Sequence, residues 1–145
     1  MKYPLVSLMF IMLTAFKQPA NSTLTVNTSN YNNDNGKAVL FLFRKDDKIP
    51  SSPFKTVSTE IKNKKAVFQI PNLVFDDYAI LILHDENNNG KIDHSLGLPN
   101  EQLGYSNKWE IGFFTGMPTF SKLKFPFSAT QKVQNISITY KRNRK

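Results

Sequence analysis

The residues best equipped for chemistry lie in one stretch, "HDENNNGKIDHSLGLPNEQLGYSN", His84 to Asn107. With Asp85 as position 1, oxygen-bearing side chains recur at position 3 (Asn87), position 5 (Asn89) and position 9 (Asp93). Alternate residues of such a loop turn inward, and Lys91 at position 7 would add its backbone carbonyl. Gly90 at position 6 permits the sharp turn, and Ile92 at position 8 offers an apolar anchor to the core. This is the first half of a calcium loop of the EF-hand kind. The second half departs from it, because Leu96 stands at position 12 in place of a bidentate glutamate and no helical pattern leads in. Calcium takes roughly 6 to 8 oxygen ligands, and the five residues named supply about five. Glu101 is the candidate for a further ligand if the chain folds back after Pro99, whereas Glu86 and Asn88 fall on the other side of the loop by alternation. The alternative is a metal-free polar turn whose Asp and Asn side chains bond to nearby backbone amides. With so few carboxylates, calcium affinity should be on the order of 10⁻⁴ to 10⁻³ M, and the ion's role structural.

Other chemistry is thinly represented. His84 and His94 flank the loop and could be paired with Asp85 or Asp93 as acid–base machinery or a zinc site, but two histidines lack a third ligand at a standard spacing. There is no nucleophile elbow, no phosphate-cradling glycine loop and no His-Glu-x-x-His pattern, so a non-enzymatic protein is expected. The stretch from Trp109 to Phe120 is rich in aromatics. Trp109, Phe113, Phe114 and Phe120 either form a platform for a sugar ring or peptide, or close one end of the domain. An envelope polysaccharide or protein is the partner class that the platform reading implies.

The elements that must position these residues read as strands. "TLTVNT" alternates, with Leu24 and Val26 on one face. "NNDNGK" is a turn whose Asn35-Gly36 pair suits positive backbone angles. "AVLFLFR" is apolar on both faces and should be a central strand covered on each side. "FKTVSTEIK" and "AVFQI" flank the polar Asn63 to Lys65 and read as a hairpin, followed by a turn at Pro71 and a β-prone run from Tyr78 to Leu83. "NISITYK" alternates with Ile136, Ile138 and Tyr140 inward. One or two further strands fit between Leu103 and Phe127, no helix is expected, and the total predicts an all-β, single antiparallel β-sandwich of about seven strands.

The 145 residues suffice for one domain with its own core. Met1-Lys2 followed by "LVSLMFIMLTAF" and small residues at Ala15 or Ala20 has the three parts of a secretory signal peptide, so the protein is expected to be exported, periplasmic or extracellular. The expected organisation is a leader over 1–20, a β domain over 21–141 and a basic tail over 142–145. Without cysteine, an exported chain depends on its core, helped by any ion it binds. The formal net charge is +8, of which Lys2 and Lys17 in the leader contribute two. Nucleic acid is not the expected partner, since export and the lack of a recognition motif argue against it. No segment after the leader is long and apolar enough to span a bilayer.

"FDDYAILILHDENNNGKIDHSLGLPNEQLGYSN" followed by "GMPTFSKLKF" resembles the bacterial exported family known as domain of unknown function 2141. The matching positions are His84, Asp85, Asn87, Asn89, Gly90, Asp93, Gly97, Pro99, Glu101, Gly104, Tyr105, Ser106, Asn107, Pro118, Phe120 and Phe125. The resemblance implies export, a transthyretin-like or immunoglobulin-like sandwich, and no established activity. A Phe-rich insert around Trp109 to Phe114 departs from the family pattern. "VFQIPNLVFDDYAI" also resembles the strand-turn-strand of carboxypeptidase regulatory-type sandwiches, with Phe75-Asp76-Asp77 in place of the Pro-Gly turn.

Overall fold

The structure, a computed structural model, describes residues 21–112 and 114–140. The expected leader, the basic tail and Phe113 lie outside the described residues. In chain order the elements are β1 (Asn21–Ser29), β2 (Lys37–Phe43), β3 (Lys55–Glu60), β4 (Lys65–Val74), β5 (Asp76–Asp85), β6 (His94–Ser95), β7 (Leu98–Pro99), β8 (Gln102–Tyr105), a 3-10 turn (Ser106–Lys108), α1 (Phe120–Leu123), β9 (Phe125–Phe127) and β10 (Val133–Tyr140). The described residues are all-β, apart from the 3-10 turn and the helical turn of α1, which the sequence did not lead one to expect.

Seven strands join in the order β3-β2-β5-β8-β10-β1-β4, and β9 pairs with the first residues of β5. In place of the two facing sheets of a transthyretin-like or immunoglobulin-like sandwich there is one continuous sheet that curls into a nearly closed barrel. The cause is that β8 and β10 bridge β5 to β1 without a break in hydrogen bonding. Nor is the sheet wholly antiparallel, since the first and last strands run parallel, with Thr25 opposite Val133 and Ser29 opposite Ser137.

Two local expectations change as well. β3 and β4 do not form a hairpin ladder: β3 pairs with β2 and β4 with β1, an isolated Lys62–Lys65 bridge closes the turn between them, and the two strands lie side by side as the barrel's seam. Their connection is capped by the Asp34 carboxylate, which accepts from Asn63 N–H at 2.8 Å and Lys64 N–H at 2.7 Å. Pro71 does not end a strand, because β4 passes through it to Val74. It sits where the β1–β4 register shifts, beside Asn72 at φ 57°, a bulge that needs no N–H from Pro71.

Alternation fills the barrel. Leu24, Val26, Leu40, Leu42, Phe68, Ile70, Ile80, Ile82, Ile136 and Ile138 are buried inside it. The opposite faces of β2, β5 and β8 carry Val39, Phe41, Leu81, Leu83, Leu103 and Tyr105, buried under the long connections. Central strands apolar on both faces are thus covered on both, as "AVLFLFR" implied.

Candidate functional site

The loop of interest leaves β5 at its last residue and returns as β8. These two strands are adjacent and antiparallel, with His84 opposite Gln102, so Glu101 at the mouth of β8 is brought back beside Asp85. Asp85 is only 2% exposed and Glu101 only 7%. Both carboxylates are therefore held in the protein's rim rather than in bulk water.

Asp85 organises the turn. One carboxylate oxygen accepts from Asn89 N–H at 3.1 Å and the other from Gly90 N–H at 2.8 Å. Asn87 Oδ1 accepts from Asn89 N–H at 3.1 Å and Asn89 Oδ1 from Lys91 N–H at 2.8 Å, so each side chain stabilises the turn two residues on. Both amide nitrogens donate to Asp93, Asn87 Nδ2 at 2.6 Å and Asn89 Nδ2 at 2.9 and 3.0 Å to its two oxygens. Glu101 Oε2 in turn accepts from Asp93 N–H at 3.0 Å. The side chains proposed as ligands are thus brought together: Asp85, Asn87, Asn89, Asp93 and Glu101 form one connected network. Glu86 faces elsewhere, with Oε1 3.9 Å from His84 Nδ1.

The electrostatics of this network are unbalanced. Burial pushes the Glu101 carboxyl above its ordinary 4.5; the N–H of Asp93 draws it back, the charges of Asp93 and Asp85 push it up again, and the N–H of Glu86 offsets part of this. Among the described residues no Lys or Arg reaches ion-pair distance of Asp85, Asp93 or Glu101. Nearly buried carboxylates are ordinarily paired with cations or metals. The donor chemistry, all oxygen and partly anionic, fits a hard divalent cation such as calcium. The carboxylates do not enclose an ion unaided: among the described residues no three His, Cys, Asp or Glu side chains form a ready-made metal group. Asn87 and Asn89 must contribute, and rotating each amide by half a turn exchanges its nitrogen for oxygen toward Asp93.

The surroundings show why the loop sits where it does. Gly36, at φ 73°, lies so close to the loop's first residues that a Cβ there would meet Glu86 Cα at 2.6 Å and Asp85 C at 2.8 Å. His84 is fully buried, with Nδ1 3.0 Å from Gln102 Oε1, Nε2 2.8 Å from the Asn35 carbonyl, and the Tyr31 ring edge-on at 5.2 Å. Gln102 Oε1 also accepts from Asn32 N–H at 2.6 Å. His84 and Gln102 therefore tie the Asn-rich β1–β2 turn under the loop, while His94 is exposed on β6 and takes no part.

The aromatic stretch divides. Trp109 packs edge-on against Tyr105 at 4.7 Å and, with Phe120, joins the outer core, whereas Phe114 is exposed. One residue in the matched motif had a role that no sequence reading had assigned. Ser106 Oγ accepts from Ile80 N–H at 2.9 Å and donates to the Leu123 carbonyl at 2.6 Å, joining β5 to α1 inside the protein. Its signal in sequence was a lone Ser after an apolar strand, which local patterning cannot tell from a solvent-facing one.

No curated protein and no solved structure matches the chain. The family profile described as "Uncharacterized protein conserved in bacteria (DUF2141)" matches residues 26–135, and with the loop, the Gly-Tyr-Ser-Asn segment and most of the sheet inside that span, the chain belongs to this family.

Proposed function

We propose that this is an exported, non-enzymatic all-β protein whose loop from Asp85 to Glu101 binds calcium as a structural ion. The observation that carries the reading is the single hydrogen-bonded network that links Asp85, Asp93 and Glu101 through Asn87 and Asn89, two of the three carboxylates nearly buried, with no ammonium or guanidinium beside them among the described residues. Asp85, Asp93 and Glu101 would supply the anionic oxygens, Asn87 and Asn89 their amide oxygens, and Lys91 its carbonyl. A bound divalent cation supplies the positive charge that this cluster lacks. Because β5 and β8 already hold Asp85 and Glu101, ligation links the loop's middle to two core strands. The platform reading of Trp109–Phe120 has less support, since Trp109 and Phe120 are spent on the outer core.

Calorimetric titration with calcium, with magnesium as the control, tests the proposal. The expected result is calcium-selective heat and a calcium-dependent rise in melting temperature at sub-millimolar to millimolar concentration. No heat and an unmoved melting temperature up to several millimolar would leave the metal-free polar turn as the correct reading.

A further inference from the structure

The chain holds two Asn-Gly pairs, Asn35-Gly36 and Asn89-Gly90, each followed by lysine. At such a pair the backbone nitrogen of the glycine can attack the asparagine side chain, because no Cβ obstructs the approach. The attack closes a succinimide ring and expels ammonia. The fold treats the two pairs in opposite ways. Asn35 donates its N–H to Asn33 Oδ1 at 2.8 Å, its carbonyl lies 2.8 Å from His84 Nε2, and Gly36 is wedged against the backbone of Asp85 and Glu86. The peptide there has no room to swing into a ring. Asn89 is exposed, and a Cβ built on Gly90 would meet nothing within 4 Å.

The hydrogen bonds around Asn89 suit the reaction as well. Asn89 Oδ1 accepts from Lys91 N–H at 2.8 Å, which folds the side chain back over the Asn89–Gly90 peptide. Gly90 N–H, the group that must lose its proton to attack, donates to Asp85 Oδ2 at 2.8 Å. Asn89 Nδ2, the leaving group, donates to both oxygens of Asp93 at 2.9 and 3.0 Å.

We propose that Asn89 is a site of intramolecular deamidation, converted by the loop's own groups to aspartate or isoaspartate. Asp85 Oδ2 takes the Gly90 proton as the Gly90 nitrogen bonds to Asn89 Cγ, and Lys91 N–H stabilises the negative charge that develops on Oδ1. That proton passes through solvent to Nδ2, the Cγ–Nδ2 bond breaks and ammonia leaves. Water then adds to either carbonyl of the ring and reopens it. The net reaction is asparagine plus water giving an acid plus ammonia, with no oxidant, reductant or cofactor. The product sets a carboxylate beside Asp93 in place of the amide that donated to it, so the altered loop carries more uncompensated negative charge and a greater demand for a cation. The conversion itself does not depend on calcium binding.

The full chain is aged in neutral buffer with chelator, both folded and in urea, and residues 35 and 89 are followed by peptide mass spectrometry in heavy-oxygen water together with an isoaspartate assay. In urea the two pairs should convert at similar rates, since only the local sequence acts. In the folded protein Asn89 should convert several-fold faster than in urea and Asn35 several-fold slower. Asp85→Asn should return Asn89 to the urea rate or below. If circular dichroism shows that this variant does not fold, the folded-to-urea ratio of the wild type decides alone. Folded Asn89 converting no faster than in urea would overturn the proposal, because the loop would then protect the amide. So would folded Asn35 converting ahead of Asn89, or unchanged conversion in folded Asp85→Asn.

Discussion

Glu101 Oε2 accepts a hydrogen bond from Asp93 N–H at 3.0 Å, and in doing so joins the mouth of β8 to the last inward-facing residue of the polar loop. The contact fixes the question of Glu101 in geometric terms: the chain does fold back after Pro99, helped by Asn100 N–H bonding to the Asp93 carbonyl at 2.7 Å. Asp85, the first loop residue, and Glu101 are thereby held together by the β5–β8 ladder.

Glu101→Gln should act in opposite directions with and without calcium. The amide keeps the shape and an oxygen for Asp93 N–H, but removes a charge that Asp85 and Asp93 oppose. Without calcium the variant should melt at or slightly above the wild type. With several millimolar calcium its gain should be smaller, since the anionic ligand is gone. Differential scanning calorimetry in the two conditions reads both signs. A variant that gains as much as the wild type would remove Glu101 from the ligand set.

The raised Glu101 carboxyl also sets a pH dependence in the calcium-free protein. Its folded-state value lies above the ordinary 4.5, so its contribution to stability is complete below 4.5 and is lost as pH rises through the raised value. In that window the folded state holds a proton that the unfolded chain has released. Urea unfolding in chelator across this range should show wild-type stability falling relative to Glu101→Gln as pH rises. A constant difference between the two would count against the unbalanced cluster.

Much of this was legible in local pattern. The strands of Leu24 and Ile138 followed from alternation, those of Leu40 and Ile82 from apolar, β-prone runs, and the grouping of Asp85, Asn87, Asn89 and Asp93 from loop spacing, because all depend on residues a few positions apart. The barrel was not, since it depends on the parallel pairing of Thr25 with Val133 and on β3 choosing β2 over β4, contacts across the whole chain that no periodicity encodes. The bulge at Asn72 and the helical turn at Phe120–Leu123 escaped for a related reason: tertiary contacts, not propensity, hold them. His84 had suggested acid–base chemistry; its burial under Tyr31 and its bond to Asn35 arise from a turn almost fifty residues upstream, and its bond to Gln102 from β8 across the loop.

Ser106→Ala should be among the costliest small substitutions in the chain. The hydroxyl serves the Ile80 N–H and the Leu123 carbonyl in a buried setting, and alanine leaves both unpaired. A loss of about 2 to 3 kcal/mol is expected, on the scale of buried groups deprived of a partner. Urea denaturation measures it, and Trp109 fluorescence should shift too, because α1 carries Lys122 above the indole at 5.8 Å. A loss under about 0.5 kcal/mol would mean that the gap is readily filled.

Tyr31→Phe separates a hydrogen bond from a titration. Thr28 Oγ1 donates to the Ala66 carbonyl at 3.0 Å, so it is the Tyr31 hydroxyl that donates to Thr28 Oγ1 at 2.8 Å. Phenylalanine keeps the ring edge-on to His84 and loses only that bond, which should cost about 1 kcal/mol at neutral pH and lower the melting temperature by about 3 °C. At alkaline pH the order should narrow. Burial pushes the Tyr31 phenol up to about 12, with the Thr28 bond opposing, so the wild-type contribution is intact below 10.0 and is lost as pH rises through about 12. The variant's phenyl ring has no proton to lose there. Stability measured between pH 9 and 12, on the order of the phenol's titration range, should fall more steeply in the wild type than in Tyr31→Phe. Parallel curves would show that the phenol ionises without cost and that the ring is less enclosed than its contacts require.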